Sequence, residues 1–458
     1  MYYFCFLETD RLMEQKTKPQ IVIGAASSNS GKTTLTMGLL RALRERGLYT
    51  QPFKCGPDYI DPKYHTLAAG HTSVNLDSWF SSPEHIRALY QHYGKEADVL
   101  VTEGVMGLFD GYRKMQGSSA EIAQILKVPV LLIVNARSTA YSAAPLIYGF
   151  KHFYPKINVA GVIFNQIASE SHFNYLLQAC EDAGVPCFGY LPRLKEIELP
   201  SRHLGLTLES KYLFDKFSLR IAEEVEKHID LDSLLTHYSI SFEDKKPEDS
   251  KIAITKRDED FKIAIAQDEA FNFTYRKNLE QLQSLGKVSY FSPLSDSQLP
   301  EADFIYLPGG YPEFYLSQLS ENHSMLQSIR QYIENDGKLL AECGGMMYLC
   351  RSITGMDGKD YPMVNILPFR ATMENMKLHL GYRSFVYAGQ TFKGHEFHYS
   401  SIIEEKDSIP SIVQQYNAKE EKVNTPLYRY KNTIAGYTHL YWGETNILNL
   451  FIKWRVEN

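Results

Sequence analysis

Residues 21–47, "IVIGAASSNSGKTTLTMGLLRALRERG", decide the architecture of the first half of the chain. The stretch opens on a β-branched apolar run, crosses a loop of small residues and ends in a helical repeat. Leu35, Leu39, Leu40 and Leu43 share one helical face, and Gly47 stands where the helix should stop. Strand, loop and helix in that order, with Gly31, Lys32, Thr33 and Thr34 at the turn, form the pattern of a phosphate-binding loop. Such a loop aims backbone N–H groups at phosphate oxygens. Lys32 would neutralise β/γ-phosphate charge, and the Thr33 hydroxyl would ligate Mg²⁺. The strict motif has Gly where Ala26 stands, and Gly24 lies two residues upstream. A nucleotide is the expected ligand.

Further strands flank this one. "DVLVTEG" (98–104), "VPVLLIVNA" (128–136) and "VAGVIFNQ" (159–166) are nearly continuous apolar runs that end in polar residues or Gly. That predicts a parallel sheet covered on both faces by helices. Glu103 follows one such run and Asp110 comes seven residues later. Carboxylates at the carboxyl end of a parallel strand sit where α/β sheets bind ligands, so Glu103 is an expected metal ligand. Residues 241–261 are charged and poor in large apolar groups, which predicts a linker. A second α/β series begins with "KIAIAQD" (262–268) and continues through "DFIYLPGG" (303–310) and "GKLLAECGG" (337–345). The expected organisation is an extension over 1–19, a phosphate-loop domain over 20–240, the linker, and a second domain over 262–458.

Composition limits the function. The 458 residues are 44% hydrophobic and 22% charged, ordinary values for a soluble protein. A net charge of −6 argues against a nucleic-acid-binding face. The six Cys show no CxxC spacing, which fits a reducing cytosol. No apolar run reaches the ~18 residues of a membrane span. The first 17 residues lack the features of a signal peptide. A cytoplasmic enzyme without nucleic-acid or membrane partners is expected, with a homodimer among the open assembly states.

The second domain carries its own chemistry. Cys343 follows an apolar strand and precedes two Gly and a helix-like run, the layout of a nucleophile elbow. The N–H of Gly344, with those of Gly309 and Gly310, would stabilise an oxyanion. A thiol nucleophile needs a base. His439 in "IAGYTHLYWGE" is the first candidate, and His395 and His398 in "KGHEFHYS" compete with it. Tyr399 breaks the HExxH pattern, so no zinc-protease site is expected. A Cys–His pair with Gly donors suits acyl transfer through a thioester, as in hydrolysis of the glutamine side-chain amide.

These motifs, together with "FKCGPDYIDPKYHTLAAG" (53–70), "NLDSWF", "EGVMGLFDG", "LPSRHLGL", "AFNFTYRKNL", "LPGGYPE", "AECGGMMYL" and "THLYWG", resemble the cobyrinic acid a,c-diamide synthases. These are glutamine amidotransferases of the cobalamin pathway, and the resemblance spans about residues 20–450. It implies a dethiobiotin-synthetase-like P-loop domain followed by a class-I-type glutaminase domain, both α/β. It implies that ATP, Mg²⁺ and glutamine are used to amidate a corrin-type tetrapyrrole. Hydrogenobyrinic acid or a nickel tetrapyrrole are the alternative acceptors. A nucleotide switch fused to an inert amidotransferase-like domain is the alternative of another class. By the resemblance, Cys343 is the glutaminase nucleophile, His439 raises its nucleophilicity, Glu103 is metal-linked and Asp110 serves the synthetase step. Asp58, Tyr59 and Ile60 match a segment tied to substrate handling and metal binding. Asp58 is expected to assist Mg²⁺–ATP, and Tyr59 with Ile60 to meet the ring. Ala25 stands where the family has Gly, which would strain the loop if φ there were positive. Tyr441 stands where standard class I glutaminases have an acid, leaving Glu444 as a weak candidate for a third catalytic member.

Overall fold

The computed structural model describes residues 17–194, 208–243, 260–403 and 409–452. Strand β1 (Thr17–Ala25) forms the middle of the first sheet. Around it lie β2 (Thr50–Cys55), β3 (Val74–Leu76), β4 (Val99–Glu103), β5 (Val130–Asn135), β6 (Val159–Ile167) and β7 (Cys187–Pro192). Their order is β3-β2-β4-β1-β5-β6-β7, with every neighbour parallel. Ile21, Val22 and Ile23 of β1 are wholly buried, as a strand covered on both faces requires. Helix α1 (Lys32–Glu45) follows the phosphate loop, α2 (Asp61–Ala69) follows β2, and α3 (Pro83–Gly94) follows β3.

Two domain boundaries shift. Part of the extension expected over 1–19 belongs to the sheet, because Thr17–Pro19 pair antiparallel with β8 (Ser239–Ser241). Ser241 and Phe242, placed in the linker by composition, belong to the first domain, where Phe242 is buried in the core. Residues 1–16, most of the expected linker (244–259) and the "LPSRHLGL" stretch (199–206) lie outside the described residues. Strand β2 escapes the sequence reading because Gln51, Pro52 and Lys54 interrupt it. Pro52 is accommodated because β3 pairs only from Phe53 onward, and the Pro52 carbonyl is met by the Gln51 amide at 2.9 Å.

The second domain is built on β9 (Lys262–Ala266), β10 (Lys287–Phe291), β11 (Phe304–Leu307) and β12 (Lys338–Glu342). The order is β10-β9-β11-β12, extended by strands Thr433–Gly436 and Leu427–Tyr430. The final pair is antiparallel and the rest are parallel. A separate antiparallel hairpin, His379–Tyr387 with Gln390–His398, pairs with His439–Tyr441 and sets His395 opposite His439.

Aromatic packing docks the domains. Tyr59, Trp79 and Phe80 of the first domain form one buried cluster with Phe273, Tyr275 and Tyr441 of the second. Polar contacts fix its orientation. The Tyr382 hydroxyl donates to Asp77 Oδ2 at 2.8 Å, and Lys393 Nζ donates to the Trp79 carbonyl at 2.7 Å. Among the described residues no helix is long and apolar enough to cross a membrane.

The position of α1 depends on Gly38. A Cβ there would lie 2.4 Å from Ile221 Cγ2 and 2.9 Å from Val225 Cγ2, on helix Leu208–His228. Replacing a helical Gly with Ala ordinarily gains about 1 kcal/mol. Overpacking against two β-branched side chains costs about 1–3 kcal/mol and outweighs that gain. Gly38→Ala should therefore lower the Tm by several degrees in a thermal melt; an unchanged or higher Tm would contradict this packing.

Candidate active site

The phosphate loop is held from outside. Gly31 has φ 95°, a left-handed conformation suited to Gly, and caps α1. A Cβ on it would fall 1.9 Å from Asn165 Nδ2, which donates to the Ser30 carbonyl at 2.9 Å. Asn165, at the end of β6, thus clamps the loop, a role no local motif reveals. Neither Ala25 nor Ala26 has positive φ, so the departures from Gly leave the loop opening unstrained. Lys32 Nζ donates to the Met106 carbonyl at 2.5 Å, and burial lowers its pKa. Thr34 opens the first turn of α1 beside Thr33.

Three strand ends bring charged groups together beneath this loop. Lys54 Nζ, from β2, lies 2.7 Å from Asp61 Oδ2 and 2.8 Å from Glu103 Oε1. Thr33 Oγ1 donates to Glu103 Oε1 at 2.8 Å and reaches Asp61 Oδ2 at 3.4 Å. His65 Nε2 meets Glu103 Oε2 at 2.5 Å. Burial alone would raise the Glu103 pKa, but Lys54 and His65 hold it well below the usual carboxylate range. Burial would likewise lower the Lys54 pKa, but Glu103 and Asp61 keep it strongly raised.

The oxygens of Thr33, Asp61 and Glu103 make a hard donor set of the kind that suits Mg²⁺. Among the described residues no group of three or more His, Cys, Asp or Glu could hold a metal by itself. Asp58, expected to assist Mg²⁺–ATP, lies on the turn that leads into Asp61. Its Oδ1 accepts from the N–H groups of Ile60 (2.7 Å) and Asp61 (3.0 Å), so it organises the turn into α2. Burial and the Asp61 carboxylate push its pKa up to about 6. Asp110 is exposed near Lys32, and its Oδ2 accepts from the Gly107 N–H at 3.0 Å.

In the second domain Cys343 has φ 48° and ψ −107°, a strained conformation for a residue with a side chain. Its N–H donates to the Gly436 carbonyl at 2.8 Å, and its carbonyl accepts from Met347 N–H at 2.9 Å. These bonds hold the elbow between β12 and helix Gly344–Leu349. Gly309 lies between thiol and imidazole. A Cβ there would sit 2.2 Å from His439 Cε1 and 3.3 Å from Cys343 Cβ. A Cβ on Gly344 would come 3.2 Å from Gly310 N, so the three Gly backbones converge beside the thiol. His439 is wholly buried, and burial together with His395 and His398 lowers its pKa well below the usual value. It is held as a neutral imidazole, the form that accepts a proton. Burial raises the Cys343 pKa strongly, so the resting pair is uncharged.

The rival histidines occupy other places. His395 stacks on His439 at 5.1 Å and its Nδ1 meets the Tyr275 hydroxyl at 3.0 Å. His398 stacks on Tyr437 at 3.6 Å, and its Nδ1 meets the Ser400 carbonyl at 2.9 Å. Glu444 is exposed and caps α3 through the N–H (2.8 Å) and hydroxyl (2.6 Å) of Ser82.

Tyr59 joins the two sites. It belongs to the loop that carries Asp58 and Asp61, yet its ring lies 5.2 Å from His439 and 5.5 Å from His395. A cavity of about 530 Å³ opens between the domains at this point. Asp58, Tyr59, Ile60, Asp61 and Met106 line it from one side, and Phe273, Tyr311, His395, Phe397 and His439 from the other.

A phosphate-loop domain and a thiol–imidazole domain opening on one cavity define a synthetase joined to a glutamine amidotransferase. Family profiles agree with both halves. Residues 21–206 match the CobQ/CobB/MinD/ParA nucleotide binding domain, and residues 262–447 match the CobB/CobQ-like glutamine amidotransferase domain. The cobyrinate a,c-diamide synthase of Listeria innocua is 39% identical over 92% of this chain and 96% of its own. That of Priestia megaterium is 38% identical over 93% and 94%. Among solved structures, chloroplast FtsY from Physcomitrella patens covers 39% of this chain and 60% of its own. It is 14% identical at TM-score 0.30, a likeness that carries no argument. The chain belongs to the cobyrinate a,c-diamide synthase family, and is an amide-forming ligase with a glutamine amidotransferase domain.

Two outcomes follow from this geometry. Gly309→Ala should drive the imidazole away from the thiol and lower glutamine-dependent amidation by roughly 10²-fold while sparing the ammonium-dependent rate. Equal activities of variant and wild type with glutamine would contradict the placement. The raised thiol pKa leaves little thiolate at neutral pH, so iodoacetamide should label Cys343 more slowly than free cysteine at pH 7. Labelling should accelerate as pH rises; peptide mass spectrometry at several pH values reads this directly.

Proposed function

We propose that the enzyme converts the a and c acetate carboxylates of cobyrinic acid into amides, using ATP and ammonia drawn from glutamine. The observation that supports this reading most is the shared cavity, with Asp58 and Asp61 on one wall and His439 on the other. A carboxylate is a poor electrophile. Transfer of the ATP γ-phosphoryl to it gives a mixed anhydride, ammonia attacks the acyl carbon, and phosphate leaves. Such transfer needs positioning and charge neutralisation more than covalent help. Gly31, Lys32, Thr33 and Thr34 would hold the nucleotide phosphates, with Asn165 fixing the loop.

Mg²⁺, held by Thr33, Glu103 and Asp61, would neutralise phosphate charge. Asp58 orients Asp61 through the turn, and Asp110, near Lys32, would serve the synthetase step. In the second domain Cys343 attacks the glutamine amide, His439 takes the thiol proton, and the N–H groups of Gly309, Gly310 and Gly344 receive the oxyanion. Tyr59 and Ile60 would meet the tetrapyrrole, along with Phe273, Tyr311 and Phe397 across the cavity.

Incubation with ATP, Mg²⁺, glutamine and cobyrinic acid should give two successive carboxyl-to-amide mass changes. Amidation of hydrogenobyrinic acid or a nickel tetrapyrrole instead would move the substrate assignment. Cys343→Ala should abolish glutamine use and keep activity with high ammonium; loss of both would refute a two-site division. Lys32→Ala should abolish amidation with either nitrogen source.

A further inference from the structure

Glu342 has no part in the chemistry above, yet it borders the thiol–imidazole pair on two sides. It ends β12 and directly precedes Cys343 in the chain. Its side chain is 1% exposed, and its Oε2 lies 3.9 Å from His439 Nδ1. Among the described residues it is the sole carboxylate with an oxygen within 4.0 Å of a nitrogen of that ring. Two donors fix it. The Leu440 N–H gives a 3.0 Å bond to Oε1, and the Tyr306 hydroxyl gives a 2.7 Å bond to Oε2. Leu440 follows His439 directly, so the carboxylate also anchors the backbone that carries the imidazole. Neither nitrogen of His439 has a hydrogen-bond partner among the described residues.

Burying a carboxyl here is unfavourable. Burial pushes its pKa up to about 8, and an apolar side chain would suit the strand better if packing were the whole requirement. The acid that standard class I glutaminases place two residues after the histidine is replaced by Tyr441. The Tyr441 hydroxyl is bonded to His85 Nε2 of the other domain at 2.8 Å.

We propose that Glu342 is the positioning residue of the Cys343–His439 pair, supplying from the preceding strand the carboxylate that the segment after His439 lacks. This rests on the glutaminase reading of that pair. The thiol proton of Cys343 moves to His439, leaving a thiolate and an imidazolium. The thiolate then forms the bond to the glutamine amide carbon, and the imidazolium gives its proton to the amide nitrogen as the C–N bond breaks, which releases ammonia and leaves a thioester that water hydrolyses. Glu342 faces the Nδ1 edge of that transient cation. The separation is longer than a hydrogen bond, and contacts of this kind tighten when substrate binds. Its partners hold the carboxylate in place while the charge forms.

Glu342→Gln keeps the size of the side chain and one acceptor oxygen but removes the group that can turn negative opposite the imidazolium as it forms. Glutamine-dependent kcat should fall by about 10²-fold with the glutamine KM changed less than about threefold. The rate with saturating ammonium should stay within about twofold, which also shows that the variant folds. Glu342→Asp should recover part of the lost kcat.

A glutamine kcat within about threefold of wild type in Glu342→Gln would overturn the proposal. So would a parallel fall of the ammonium rate, because it would mark a purely structural residue. Cys343→Ala run alongside separates the two levels. If it still uses glutamine, the glutaminase reading itself fails. If it does not, and Glu342→Gln does at full rate, only the role of Glu342 fails.

Discussion

The seating of Tyr59 among Phe273, Tyr275, His395 and His439 is the constraint on which the rest of the molecule turns. One residue of a first-domain loop is buried in the second domain's site. Its neighbours in sequence organise the entry to α2 and the carboxylates beside Thr33. The aromatic cluster supplies large apolar area at low conformational cost, and its stacked and tilted rings fix orientation as well as contact. Without that docking the two sites would be separate rooms. With it, they open on one shared cavity, lined by Asp58 and Asp61 from one domain and His439 from the other.

The two sites treat charge in opposite ways. Beneath the phosphate loop, Lys54 lies between Asp61 and Glu103, and His65 closes the far side of Glu103. Mutual pairing keeps Lys54 and Glu103 ionised despite their burial, in a place that must receive a polyanion. Around Cys343 the reverse holds. Burial raises the thiol and Glu342 and lowers His439, so the resting glutaminase holds neutral groups. Charge is present in advance at one site and arises only during turnover at the other.

The parts legible in the sequence were those with a local signature. The β1–loop–α1 unit could be read because a continuous apolar run meets Gly31 and Lys32 at short range. The Cys343 elbow could be read because two glycines follow a strand. Asp61 was overshadowed by Asp58, since both flank the same turn and only tertiary placement decides which carboxylate reaches Thr33. Asn165, His65 and Glu342 act across distances of many residues, where no spacing rule applies. One signal was nonetheless present. Lys54, Glu103 and Glu342 are charged residues on strands that are otherwise buried, and a charge in such a place calls for a partner or a task.

Tyr441 marks a limit on how such an enzyme can be assembled from parts. Its ring completes the aromatic cluster and its hydroxyl bonds His85, so a position that serves chemistry in other glutaminases here serves attachment. A glutaminase domain of this kind is not an interchangeable module. Transplanted onto another synthetase it would carry an unmatched aromatic face, and reverting Tyr441 to an acid would place a charge in the middle of the seam. Partnership with this one synthetase is written into the strand that bears His439.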